Sequence, residues 1–189
     1  MKTAIILHGM PGEKSYLDAA RDAQSNSHWL PWLQQQLIAN GILAQTPELP
    51  HPYKPAYEEW KRVFEQFPVD ENTMLVGHSC GAGFLVRWLS ENKIRAGKVA
   101  LVAPWMDPHG ELDGFFDFEI DSEAIGRTAG VTIFISEDDD AEMHEAVARI
   151  EKAWPRVRVI RMQGKGHFTL GDMGTREFPE LKEALLGNG

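Results

Sequence analysis

Short apolar runs alternate with amphipathic stretches along almost the whole chain, and that alternation leaves few folds open. The runs "TAIILHG", "ILAQTPELP", "NTMLVG", "KVALVAP", "VTIFIS" and "RVRVIRM" read as strands. Most are continuously apolar, as strands buried on both faces are. Between them lie "HWLPWLQQQLIANG", "PAYEEWKRVFEQF", "AGFLVRWLSEN" and "AEMHEAVARIEKAW", whose apolar residues fall at helical spacing, as Ala82, Leu85, Val86 and Leu89 do. A last helix is expected from Pro179, because proline suits a first helical turn and breaks an interior one. Strands alternating with helices make βαβ units. The expected architecture is a doubly wound α/β fold in a single domain, 1–189, with a mainly parallel six-stranded sheet flanked by helices on both faces. Ligands of such sheets bind beyond the C-terminal ends of the strands. Function is therefore sought in the segments that follow strands: His8 to Gly12, Gly77 to Gly81, Pro104 onward, Ser136 to Asp140 and Gly164 to Phe168.

Composition narrows the partners. A net charge of −9 speaks against nucleic acid, which needs concentrated Lys and Arg. One cysteine, Cys80, rules out an internal disulfide. No apolar stretch nears the roughly 18 residues of a membrane helix, and "AIILHGM" is too short for a signal peptide core. A cytoplasmic protein is expected, with no membrane partner. The oligomeric state has no signature in the chain.

The segment "MLVGHSCGAG" brings a strand to Ser79 and turns at once into a helix. "GHSCG" fits the G-x-S-x-G pattern in the strand–turn–helix setting that pattern requires. The turn is so tight that bulky side chains two residues either side of the serine would strike neighbouring backbone, which explains Gly77 and Gly81. The following helix N-terminus favours developing negative charge near the hydroxyl. A phosphate loop is the rival reading, but "HGMPGEKS" has Glu13 where its second glycine belongs.

A serine nucleophile needs a base, and the base needs an orienting acceptor. The order Ser, acid, His expected in such a sheet is present. Asp138, Asp139 and Asp140 follow the fifth strand, and His167 in "GKGHF" follows the sixth. The residues alone leave the choice among the three aspartates open. The acidic run is not a calcium loop, since Met143 and Arg149 stand where glycine and glutamate are required. No metal and no cofactor are expected. His28 is expected to start a helix, and His51, His109 and His144 to be exposed. The oxyanion donors expected are the backbone N–H groups of Cys80 and of Met10, in the turn after the first strand. The Cys80 thiol is expected to face away from the turn. Trp105, Phe115, Phe116 and Phe118 follow the fourth strand, where they could form an aromatic wall for an apolar acyl or alcohol group. The alternative is that they pack a loop.

"AIILHGMPG", "HWLPWLQQQL", "MLVGHSCGAGFLVRWL", "KVALVAPW", "FISEDDDAEM" and "GKGHF" together resemble the small serine hydrolases of the retinoblastoma-binding protein 9 / YdeN family, within the α/β-hydrolase superfamily. The resemblance implies a compact α/β-hydrolase fold. It also implies an acid three residues after the serine closing the fifth strand, which is Asp139, with Asp138 second. Relatives often carry a proline-bounded turn after the acid, and "DDAEM" lacks both prolines. The L-x-C-x-E segment tied to retinoblastoma binding is absent, so no such partner is expected. The function expected is hydrolysis of small carboxylic esters or related acyl bonds by Ser79, His167 and Asp139 through an acyl-enzyme. The partner expected is thus a small-molecule acyl substrate. The alternatives are an amidase or peptidase using the same residues, and a non-catalytic binding module on a hydrolase fold.

Overall fold

Continuously apolar runs can be stable as strands only in the middle of a covered sheet, and they lie there. The structure, a computed structural model, describes residues 1–187. Its six strands are β1 (Thr3–Leu7), β2 (Leu43–Gln45), β3 (Thr73–His78), β4 (Val99–Val102), β5 (Val131–Ser136) and β6 (Arg158–Met162). They form one sheet in the order β2-β1-β3-β4-β5-β6, and every pair is parallel. The central β3 and β4 are buried throughout. The edge strands are only partly buried, and β6 exposes Arg158 and Arg161, charges that discourage further pairing.

The helices are α1 (Glu13–Tyr16), α2 (Leu30–Ala39), α3 (Tyr57–Phe64), α4 (Cys80–Glu91), α5 (Ala141–Ala153), α6 (Leu170–Met173) and α7 (Pro179–Leu186). Against one face, α2 and α7 meet, with the Trp29 and Phe178 rings 5.9 Å apart edge to face just before each helix begins. Against the other, Phe64 of α3 packs edge-on to Phe84 and Trp88 of α4 at 5.5 and 4.9 Å. The helix α4 is buried on nearly every side, which explains why it is apolar almost all round. A left-handed Gly41 at φ +76° ends α2.

Two details depart from the sequence reading. Only Leu43–Gln45 of "ILAQTPELP" pairs, because Pro47 and Pro50 cannot extend a ladder. The four-residue helices α1 and α6 were not expected, being too short to show a period. Among the described residues, no helix is long and apolar enough to cross a membrane. Strand order reverses between β1 and β3, so the loop after β1 and the turn after β3 open side by side at the C-terminal edge.

Candidate active site

Ser79 stands between β3 and α4 with φ 54° and ψ −121°, a conformation that side-chain-bearing residues rarely adopt. Its N–H still donates to Val102 O at 2.9 Å, continuing the sheet ladder. Its carbonyl accepts from Ala82 and Gly83, already inside the helix turn, at 3.0 and 3.1 Å. The chain thus changes from strand to helix within one residue. The glycines are required by approach distance. A Cβ on Gly77 would lie 2.6 Å from Ala82 backbone, and one on Gly81 would lie 2.3 Å from His8 O.

Three distant segments meet at this turn. His167 Nε2 lies 2.9 Å from Ser79 Oγ. His167 Nδ1 lies 3.0 and 3.2 Å from the two carboxylate oxygens of Asp139. The Asp139 side chain is 1% exposed, whereas the imidazole, open to the cleft, is 29% exposed. A buried carboxylate on Nδ1 places the imidazole proton there and leaves Nε2 free to accept the serine proton. Asp138 does something else. Its carboxylate accepts from the Ser136 hydroxyl and, at 3.4 Å, from the Gly166 N–H. The Ser136 hydroxyl, first among several donors, holds the Asp138 carboxyl below the usual carboxylate range. Asp138 therefore ties the end of β5 to the loop of His167, and Asp140 precedes α5 as its N-cap.

The His167 loop is anchored on several sides. Phe168, at φ 56°, is buried and stacks on Phe178 at 5.4 Å. Asp172 Oδ2 accepts the His167 N–H at 3.1 Å, and the same carboxylate completes a capping box with Thr169 at the start of α6. His78, one residue before the serine, donates Nε2–H to the His167 carbonyl at 2.8 Å. Burial, with the neighbouring His167 and His28, pushes His78 well below the usual imidazole range, so its ring is neutral.

The first loop is held in a similar way. His8 Nε2 accepts the Leu49 N–H at 2.9 Å, so the ring proton sits on Nδ1 and is donated to Gly9 O at 2.8 Å. A trans peptide points its C=O and N–H in opposite directions. Fixing the Gly9 carbonyl against His8 thus fixes the Met10 N–H on the other side. Gly9 abuts the serine: a Cβ there would lie 2.9 Å from Ser79 Cβ. Cys80 is the first residue of α4, and its N–H has no partner within the helix. Its thiol is fully buried, and burial, then the nearby Asp107, pushes it well above its ordinary range, away from nucleophilic use.

A cleft of about 760 Å³ opens over these groups. Met10, Ser79, His78 and His167 line it, together with Gln24, Ser27, His28, Thr169 and Arg176 among others. Trp105, Phe115 and Phe116 are not there. The aromatic wall is thus corrected: Phe115 is fully buried against Trp60 at 5.2 Å, and Phe116 packs on Phe115 and over Gly83 of α4. The Trp105 indole donates to Glu142 at 2.6 Å. The loop after β4 had too much apolar surface to leave facing the cleft, and the space against α3 and α4 took it. Sequence reasoning missed the roles of His8 and His78, for which the only signal was their place at strand ends. It also missed His28, which precedes α2 and lines the cleft.

The chain is 29% identical to YdeN of Bacillus subtilis over 170 residues, covering 86% of this chain and 89% of that one. The crystal structure of the B. subtilis ydeN gene product superposes with a TM-score of 0.79 at 26% identity, over 98% of this chain and 97% of that one. Methylesterase MES16 from Arabidopsis shares the fold at a TM-score of 0.65 and 12% identity, over 97% of this chain and 98% of its own. Est1E from Butyrivibrio proteoclasticus does so at 0.63 and 16%, over 97% and 88%. Residues 21–186 match the serine hydrolase family, and the chain belongs to it.

Proposed function

We propose that the protein hydrolyses small carboxylic esters through an acyl-enzyme on Ser79. The observation that carries this reading is the continuous contact from the Asp139 carboxylate through His167 to the Ser79 hydroxyl, at 3.0 and 2.9 Å. As Ser79 Oγ attacks the carbonyl carbon, its proton passes to His167 Nε2. The imidazolium that forms is stabilised by Asp139, and the oxyanion by the N–H groups of Cys80 and Met10. Collapse breaks the bond to the alcohol oxygen, which takes the proton from Nε2. Water then attacks the acyl carbon with His167 as base, and the acid leaves as Ser79 recovers its proton. Membership of the serine hydrolase family supports the reading, and a methylesterase on the same fold is consistent with it.

The test is a screen of ester, thioester and amide substrates of graded chain length, with Ser79→Ala as control. Esters should be turned over fastest, and Ser79→Ala should lose about 10⁶ in kcat. A fluorophosphonate should label Ser79. Hydrolysis of p-nitrophenyl acetate by Ser79→Ala at the wild-type rate would overturn the mechanism. Faster turnover of amides would replace the esterase by an amidase, and no labelling at all would favour a binding module.

A further inference from the structure

The cleft over Ser79 holds, besides the base and the loop-tying His78, a third imidazole that the mechanism does not use. His28 lines the cleft with Ser79, His78 and His167, and its ring lies edge-on to His78 with centroids 5.5 Å apart. The Leu170 N–H donates to His28 Nδ1 at 3.1 Å. That nitrogen therefore carries no proton, and the proton sits on Nε2. Among the described residues Nε2 has no hydrogen-bond partner, and it is not sealed from solvent, on a side chain that lines the cleft. The backbone is committed to the placement: His28 sits at φ +56°, a left-handed conformation uncommon for a residue with a side chain. Burial, then the neighbouring His167, holds His28 below the usual imidazole range, which keeps Nδ1 an acceptor at neutral pH. Polar side chains are also among the cleft lining, with Ser15, Gln24, Ser27 and Thr169.

We infer that His28 donates its Nε2–H to an acceptor atom of the substrate beyond the scissile ester group, and so selects polar esters, those bearing an ether, hydroxyl or carbonyl oxygen on the acyl or alcohol chain. The inference rests on the esterase reading above and names its substrate class. A donor with no partner of its own is left unsatisfied by an alkyl chain and satisfied by an oxygen at the same place. Specificity of this kind arises from the site as much as from the ligand.

Two isosteric pairs test it. On the acyl side, p-nitrophenyl methoxyacetate is compared with p-nitrophenyl butyrate. On the alcohol side, 2-methoxyethyl acetate is compared with butyl acetate. Within each pair an oxygen replaces one methylene, and intrinsic reactivity cancels when the kcat/KM ratio is compared between wild type and variant. His28→Asn is the informative variant. Asparagine tolerates the left-handed backbone, and its Oδ1 can take the Leu170 N–H, but it carries no donor at the Nε2 position. The ratio should fall about fivefold in one pair, and His28→Gln, whose amide nitrogen reaches the Nε2 position, should restore part of it. As a readout independent of turnover, the His28 ring nitrogens are followed by NMR in Ser79→Ala protein titrated with the same four esters. The oxygen-bearing member of one pair should shift them and its alkyl isostere should not. In an active protein, an unchanged ratio in both pairs overturns the inference. In a protein that hydrolyses none of the four, the esterase reading fails, and the presence or absence of the shift decides the role of His28 separately.

Discussion

His78 Nε2 donates to the backbone carbonyl of His167 at 2.8 Å, so the residue beside the serine fixes the loop that carries His167. The side chains of Ser79 and His167 are thereby set by a contact that involves neither of them. Replacing His78 with Phe keeps much of the bulk and loses the donor. The expected result is a fall in kcat of about 10²-fold with KM little changed, since misplacement by about 1 Å costs that much. His78→Gln, which keeps a donor, should recover part of it. Steady-state kinetics on one ester decide the matter, and equal losses in both variants would assign His78 to packing alone.

The same ring predicts a pH effect on stability. Unfolded, a histidine titrates near 6.5. Folded, His78 is pushed well below that by burial, then by His167 and His28. Below about pH 6.5 the unfolded chain therefore binds the extra proton, and stability falls as pH falls. Between pH 7 and 5.5 the loss from this group should be about 1 kcal/mol. Urea titrations at the two pH values should show a smaller loss in His78→Gln than in wild type.

Adjacent aspartates should behave differently. Asp139→Asn leaves the imidazole without its buried acceptor and should lower kcat by about 10⁴. Asp138→Asn weakens the tie from Ser136 to the Gly166 loop, so it should lower the melting temperature and leave kcat close to wild type. Parallel kinetics and calorimetry on the two variants separate the roles, and equal losses of kcat would contradict the assignment.

Phe115 lies in the core, not in the cleft. Phe115→Ala should cost about 3–5 kcal/mol of stability and leave the acyl-chain preference of the folded enzyme unchanged. Urea unfolding and a chain-length series of esters measure the two effects.

The parts of this molecule that were legible in the sequence are those that repeat or that sterics demand. Buried strands announce themselves as unbroken apolar runs, as β4 does, and Gly77 and Gly81 bracket the serine because backbone passes where side chains would be. Choosing among Asp138, Asp139 and Asp140 was beyond the residues alone. Three like side chains in a row differ only in the direction each is turned, which the packing of two loops decides. The aromatics after β4 suit a wall or a core equally well as composition. His28 reads as a helix start in the sequence, since nothing local distinguishes a capping position from a left-handed one beside a cleft.

The backbone of Ser79 carries one more consequence. At φ 54° and ψ −121° every residue but glycine is strained there, by about 1–3 kcal/mol. Ser79→Gly should consequently yield a dead but hardier protein, one that resists heat better than the parent. On the proposed mechanism the strain is what holds the hydroxyl proud of the sheet, so durability and reactivity compete at a single residue.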